Sequence, residues 1–277
     1  MKTKGILFLV AISFVLSCKK QGCTDEYAVN YDANAKKDDN RFCVYKKPES
    51  KDYFPDFGAN TATIVSIDMG IVYAPGKYSG KYFKNRVLAG FREVDKQLYS
   101  IGKVHVSLYV TSVGDPSGPI AFRELNRLED NSYLRDGDAV FQYQGNQPKK
   151  FPNPMVWKSY GEEAWPAFLL ENDRGFSSGS VVVSGQPSTS SPYKFSVKPV
   201  SDADSLVLQI IGQRKELTKV IPGTASSYVF SQKEMESVGK GDAILRVIPV
   251  TYNIKTEGGK TYYFLNQMNE EKEVRIE

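Results

Sequence analysis

Residues 244–265 read ILRVIPVTYNIKTEGGKTYYFL and predict a long β-hairpin. Two runs rich in β-branched and aromatic residues flank a Glu-Gly-Gly-Lys turn at residues 257–260, which is typical of paired antiparallel strands. Similar signals recur along the chain: valines and leucines alternate with polar residues over 104–110, and 206–211 is a short apolar run. Because glycine, proline and asparagine separate these runs, the sequence predicts a mostly β fold.

One segment is compatible with two secondary structures. Apolar residues recur there at helical spacing, at Val87, Leu88, Phe91, Val94 and Leu98. Residues 85–110, with a turn at Asp95-Lys96, also resemble the early strands of immunoglobulin-like domains in exported bacterial proteins, and we favour strands. One short helix is predicted after Ser231, because Ser231 and Glu234 have the spacing of a capping box.

The N-terminus predicts export. Two lysines precede an apolar stretch over residues 6–16, which is shorter than the roughly 20 residues of a membrane-spanning helix and suits a secretory signal. The following Val15-Leu16-Ser17-Cys18 resembles a bacterial lipobox. That resemblance implies cleavage before Cys18 and an acylated Cys18 that holds the protein in a lipid bilayer by more than one acyl chain. The alternative is a plain secretory signal with an incidental cysteine.

The other two cysteines predict a disulfide. With Cys18 carrying lipid, Cys23 and Cys43 remain as an even pair in an exported chain, where disulfides persist. We therefore expect a Cys23–Cys43 bond, and no thiol is left over for redox or nucleophilic chemistry.

The segment around these cysteines carries a recognisable pattern. It contains Gly22-Cys23-Thr24-Asp25, then Ala28-Val29-Asn30-Tyr31, then Asp38-Asp39 and Cys43-Val44-Tyr45. This resembles a short motif common in exported proteins of Bacteroidota-type bacteria, with a departure at Asn40-Arg41, where the motif has Gly-Ser. The loop holds side-chain oxygens of the kind that Ca²⁺ prefers, at Asp25, Asn30, Asp32, Asp38 and Asp39. Two interpretations stay open: a small calcium site, and an acidic turn region held by its disulfide alone.

The predicted domain organisation has five parts. They are a lipoprotein signal peptide at 1–17, a disulfide-closed acidic module at 18–45, a linker at 46–60 and two β-sandwich domains at 61–174 and 175–277. Polar composition with prolines is typical of a linker, and a Ser/Gly-rich stretch at 177–191 sets the boundary near Arg174. The second domain resembles fibronectin-III-like domains in its serine-capped helix and its Gly-Gly-Lys-Thr-Tyr-Tyr-Phe hairpin. The expected architecture is two immunoglobulin-like sandwiches.

Composition and motifs argue against several functions. The net charge of +4 comes without the basic cluster that nucleic-acid binding needs. The only histidine, His105, with no free cysteine, does not supply the usual zinc ligands. Gly175-Phe176-Ser177-Ser178-Gly179 spells a nucleophile elbow, yet His105 lies upstream and a strand is predicted to follow. We expect no catalytic residues.

The expected function is therefore non-enzymatic: binding or scaffolding in the cell envelope, at the outer membrane, for an unidentified protein or glycan. The alternative is a surface glycan-binding lipoprotein, because Trp157, Tyr160 and Trp165 could form an aromatic platform that stacks on sugar rings. An exposed tryptophan pair would favour glycan binding, and a buried pair would favour scaffolding.

Overall fold

The computed structural model describes residues 21–35, 42–73, 81–109, 120–136, 151–162, 164–198, 200 and 202–277, with the backbone of 37–38 and 140–141. The chain divides into two compact units between Lys46 and Lys47. The mostly β fold class is confirmed. Within these ranges, no helix has the length and apolar composition needed to cross a membrane.

The strands of the described ranges are β1 (Gln21–Gly22), β2 (Lys37–Asp38), β3 (Thr61–Tyr73), β4 (Lys81–Arg92), β5 (Val104–Tyr109), β6 (Ile120–Glu124), β7 (Asn126–Arg127), β8 (Tyr133–Asp136), β9 (Val140–Phe141), β10 (Met155–Ser159), β11 (Phe168–Asn172), β12 (Val181–Val182), β13 (Tyr193–Val197), β14 (Ser205–Ile211), β15 (Glu216–Pro222), β16 (Ser227–Phe230), β17 (Gly241–Glu257), β18 (Lys260–Met268) and β19 (Glu270–Ile276). The helix is α1 (Gln232–Val238), capped by Ser231 in the predicted capping box. The ambiguous segment after Asn85 is strand β4, as favoured, and ends before a turn at Lys96.

A ten-stranded sheet organises the larger unit, in the order β15-β14-β17-β18-β3-β4-β8-β7, with β19 beside β17 and β9 beside β4. The predicted hairpin is confirmed: β17 and β18 are antiparallel, and Gly258 and Gly259 form the turn with φ of 56° and 75°. Positive φ at both positions explains the two glycines. Pro249, which lacks an N–H, lies where the ladder of β17 passes from β18 to β19.

The same sheet joins the two halves of the sequence. Strand β3 pairs in parallel with β18, from Thr61 beside Thr261 to Asp68 beside Met268. The boundary predicted near Arg174 therefore divides neither this sheet nor the core below it, because Phe264 from beyond the boundary packs with Ile64 and Phe91. Asn266, fully buried, donates to Arg174 O over 2.6 Å, so the chain at this boundary is fixed to β18.

One face of the large sheet covers both cores. Ile64, Phe91 and Phe264 pack there against the four-stranded sheet β11-β10-β5-β6. Leu208 and Leu245 pack against the three-stranded sheet β12-β13-β16 and against α1. Since side chains alternate along a strand, the intervening residues lie on the opposite face, called the outer face below. The large sheet therefore forms two sandwich-like packings, one with the four-stranded sheet and one with the three-stranded sheet.

Residues 51–57 lie across the outer face and are called the strap. The sequence predicts a linker at 46–60, and this is wrong for the strap, because the sheet offers it hydrogen-bond donors and an apolar surface. Gln267 Nε2 donates to Tyr53 O over 2.9 Å, and Thr63 Oγ1 donates to Pro55 O over 3.0 Å. Tyr53 and Phe54 pack against a third apolar cluster that includes Val65 and Ile248.

A glycine makes room for the strap. A Cβ at Gly90 in β4 would lie 2.9 Å from Cζ of Phe54 and 2.8 Å from Cδ2 of Leu98, closer than van der Waals contact allows. The Arg92 guanidinium lies 5.8 Å from the centroid of the same Phe54 ring. Gly90 therefore lets an aromatic ring rest directly on the strand.

Candidate functional site

An apolar cleft with a volume of about 280 Å³ opens on the outer face beside the strap. Tyr53, Pro55 and Phe57 of the strap form one wall. Ser205 on β14 and Val220 on β15 form the opposite wall. The cleft thus lies between an element outside the sheet and the edge of the sheet itself.

Buried apolar side chains form the floor of the cleft. Val207, Val250 and Leu265 are exposed by 1%, 2% and 4% and come from the neighbouring strands β14, β17 and β18. They belong to the cluster that the strap covers further along. The alternation of each strand aims them at the outer face while their neighbours fill the two cores.

Apolar side chains continue from the floor to the surface. Val220 is 58% exposed, Ile254 49% and Tyr252 44%, and all three line the cleft. Phe57 closes one end by stacking on Tyr263, with 4.0 Å between ring centroids and 14° between ring planes. Contiguous exposed apolar surface around a concavity is typical of a place where a ligand or partner binds.

Four of the residues that line the cleft carry a hydroxyl group without a protein partner in the described part of the chain. Within the described ranges, the hydroxyls of Tyr53, Ser205, Tyr252 and Tyr263 make no hydrogen bond. Burial raises the pKa of the Tyr53 phenol, which reflects its loss of water. The hydroxyls of Tyr53, Ser205 and Tyr263 are not buried away from water, so a ligand can replace that water with a direct hydrogen bond.

Charged groups hold the strap but do not line the cleft. Arg246, 2% exposed, donates to Lys51 O and to Gln209 Oε1, and its Nε lies 3.1 Å from Glu271 Oε1. Burial lowers the pKa of Arg246, against the field of Glu271 and other carboxylates. Arg86 pairs with both Asp136 and Asp52 of the strap, which raise the pKa of Arg86.

The predicted disulfide is confirmed. Cys23 and Cys43 are bonded, with 4.8 Å between their Cα atoms, and both are buried in the smaller unit. They pack with Ala28 and Tyr45 into a small apolar cluster. Cys18 lies outside the described residues, so its acylation stays a prediction.

The proposed calcium ligands of this module have structural partners. Asn30 uses both amide atoms: Nδ2 donates to Phe42 O, and Oδ1 accepts from Val44 N over 2.8 Å. Asp25 accepts from Tyr45 Oη over 2.9 Å, and Asp32 accepts from Asn34 N over 2.9 Å. The Asp32 contact stabilises a local turn, whereas Asn30 and Asp25 join distant parts of the loop.

No group of three or more His, Cys, Asp or Glu side chains in the described part of the chain could hold a metal ion. The side chains of Asp38 and Asp39 lie outside that part. Calcium binding by the module therefore stays a prediction.

The predicted aromatic platform is not formed by its tryptophans. Trp157 is 0% exposed and Trp165 2%, and both fill the first core, where Trp165 meets Phe91 edge to face at 5.1 Å. A ring with no exposed face cannot stack on a sugar. Tyr160 is 64% exposed, but the Lys158 ammonium lies 4.4 Å from its ring centroid. The platform prediction is wrong because alternation on β10 turns Trp157 inward.

Ser177 and His105, the serine and histidine of the nucleophile-elbow pattern, lie on separate elements. Ser177 is buried in the segment that links β11 to β12, and a strand follows it, as the sequence predicts. His105 lies on β5 with Nε2 at 3.8 Å from Glu124 Oε2.

No protein-family model matches the chain, and no curated protein matches it. Among solved structures, the native conformation of E. coli alpha-2-macroglobulin is similar with a TM-score of 0.20 and 11% identity, over 90% of this chain. The chain spans 17% of the length of that protein. A similarity of this size supports no functional argument.

The sequence does not predict the cleft. The composition of its strap wall is typical of a linker, and its rim residues Val220 and Ile254 look like ordinary strand residues. The one available signal was the aromatic content of the supposed linker, since Tyr53, Phe54 and Phe57 are unusual in a solvated connection.

Proposed function

We propose that this chain is a lipid-anchored, non-enzymatic binding protein of the bacterial cell envelope that holds a ligand in the apolar cleft. The observation that carries this function is the combination of a buried apolar floor, an exposed apolar rim and unpaired hydroxyls in one concavity. Ligand sites in proteins are mostly concave and apolar, with a few polar groups that orient the ligand.

The anchor is supported by sequence alone. An apolar export signal ends in Val15-Leu16-Ser17-Cys18, and a Bacteroidota-type disulfide module follows. Anchoring at the outer membrane, and an immunoglobulin-like identity of the two sandwiches, are parts of the same proposal.

Glycan binding is the weaker alternative. Because Trp157 and Trp165 are buried, the tryptophan criterion favours scaffolding over glycan binding. Tyr160 is the one exposed member of the predicted set, and its ring already has Lys158 as a neighbour.

A ligand screen with two matched variants tests the cleft. The mature chain is screened by thermal shift against small molecules that differ in charge and polarity. Val220→Asp places a charge on the rim, and Val229→Asp, at 56% exposure on β16, is the control for 58% exposed Val220. Ligands of the cleft should lose their thermal shift in Val220→Asp and keep it in Val229→Asp. If no molecule shows this dependence on Val220, the binding function is wrong.

A further inference from the structure

We propose that the cleft takes a small uncharged amphiphile: a hydrocarbon ring or short chain that carries one hydrogen-bonding oxygen. This inference rests on the proposed function and names the ligand class of the same site. The charge, the polarity and the volume of the cleft each indicate a different property of the ligand.

The ligand is uncharged because nothing in the cleft would compensate a charge. None of the residues that line it is Asp, Glu, Lys, Arg or His. The charged groups that hold the strap are already paired, Arg86 with Asp52 and Arg246 with Glu271. Moving an ion from water to an apolar site without a partner costs far more than the contacts would return.

The ligand carries an oxygen because hydroxyls on both walls lack partners. Tyr53 contributes one from the strap, and Ser205 contributes one from β14. A carbonyl, ether or hydroxyl oxygen between the walls would accept from either. A pure hydrocarbon would leave both unsatisfied, which lowers affinity.

The ligand is a small molecule because the cleft has a buried floor and a limited volume. Its floor residues are no more than 4% exposed, and about 280 Å³ is close to the lower end of the range for small-molecule sites. A protein partner would instead need a broad surface of roughly 800 Å².

Ligand binding should also stabilise the strap. Tyr53, Pro55 and Phe57 touch the cleft from a segment outside the ladder of the large sheet, so a ligand would bridge strap and sheet. A ligand that binds only while the strap is packed on the sheet opposes local unfolding of the strap. Slower hydrogen exchange at 53–57 is therefore a readout specific to this site.

The test uses three probes with the same chain and different head groups: decanol, decanoate and decyltrimethylammonium. Each probe displaces a neutral solvatochromic dye from the mature protein, with decanol kept below its solubility limit and the two ions below their micelle-forming concentrations. Hydrogen exchange is followed with and without each probe. Decanol should bind about tenfold more tightly than either ion and should slow exchange at 53–57.

Variants place the binding at the cleft. Val220→Asp should weaken decanol binding about tenfold, because it sets a charge on the rim, whereas Val229→Asp should leave it unchanged. Tyr53→Phe, which keeps the ring and removes the hydroxyl, should weaken decanol binding about fivefold, and Ser205→Ala in the same background should weaken it further.

The outcomes separate the two proposals. Equal binding of decanoate and decanol, with dependence on Val220, overturns the uncharged class and leaves the binding function in place. Decanol binding that Tyr53→Phe and Ser205→Ala do not weaken overturns the role of the hydroxyls. Equal loss in Val220→Asp and Val229→Asp overturns the site. If all three probes fail while other screened ligands depend on Val220, the amphiphile class alone is wrong.

Discussion

Gln267 on β18 donates from Nε2 to the backbone oxygen of Tyr53 over 2.9 Å, and Gln267 itself is fully buried. This contact joins the centre of the large sheet to the segment that forms one wall of the cleft. The wall therefore has a fixed distance from the floor residues Val250 and Leu265, although the strap belongs to no strand of the described sheets. A binding site built this way depends on a segment whose packing can be loosened by single substitutions.

Gly90→Ala should loosen the strap. The added Cβ would meet Cζ of Phe54 at 2.9 Å, so the ring must move off β4. We expect a loss of about 1 kcal/mol in the free energy of unfolding and faster hydrogen exchange at 53–57. Gly175→Ala is the control, because a Cβ there meets no atom within 4 Å. Unchanged exchange in Gly90→Ala would show that Phe54 does not hold the strap.

Arg246→Ala should destabilise the protein strongly. The change removes a buried guanidinium and leaves Lys51 O and Gln209 Oε1 without their donor. We expect a loss of about 3 kcal/mol in urea denaturation. Arg275→Ala on β19 is the matched control: its pair with Asp242 is 58% and 60% exposed, so the loss should stay below about 1 kcal/mol. Similar losses in both variants would contradict the structural role of Arg246.

Glu234 should make a pH-dependent contribution to stability. The hydrogen bond from the backbone of Ser231 and the pair with Lys219 lower the pKa of Glu234 from its usual 4.5. A lowered pKa in the folded state means that the carboxylate stabilises the fold above pH 4.5, and that this is lost as the pH falls through the lowered pKa.

Glu234→Gln therefore tests the charge separately from the cap, because glutamine also suits a capping box. We expect a loss of about 0.5 kcal/mol near neutral pH and almost none near about pH 2. Glu236→Gln on the same helix is the control for removing one negative charge, and the effect of Glu234→Gln at neutral pH must exceed it. A loss of stability in Glu234→Gln that persists at low pH would contradict the role of the charge.

Ser231→Ala should lower the free energy of unfolding by about 1 kcal/mol, because it removes the N-cap of α1.

Removing the disulfide should affect the smaller unit. Replacing Cys23 and Cys43 together by serine removes a bond that closes a separation of 20 residues, worth about 3 kcal/mol to a segment with a very small core. We expect rapid proteolysis within 21–45, while the thermal midpoint of residues 47–277 stays unchanged. Limited proteolysis with mass spectrometry measures both, and the wild type under reducing conditions is the comparison.

The mature N-terminus should be an acylated Cys18. Mass spectrometry of the protein from membranes should find no residue before Cys18 and a mass that includes acyl chains. Cys18→Ser should move the protein from the detergent phase to the aqueous phase, because more than one acyl chain is needed for stable attachment. An unmodified Cys18 in a soluble fraction would refute the anchor and would leave the cleft proposal intact.

The sequence by itself determined the local structures. Gly258 and Gly259 between two β-branched runs specify the hairpin, Ser231 and Glu234 specify the cap of α1, and the count of cysteines specifies the Cys23–Cys43 bond. The hairpin and the cap depend on residues that are near in sequence. The disulfide depends on Cys23 and Cys43 being the two cysteines left once Cys18 carries lipid. Short-range backbone preferences and chemical pairing are enough to predict them.

Tertiary structure alone decided which face each strand presents and what covers it. Trp157 is buried and Val220 exposed because of where the sheets pack, and alternation by itself does not say which side is the core. The pairing of β3 with β18 unites residues about 200 positions apart, and no local pattern specifies such a pairing. The strap covers the outer face because Gln267, Thr63 and Arg246 offer donors there, and the cleft exists only as the space between that strap and the sheet edge.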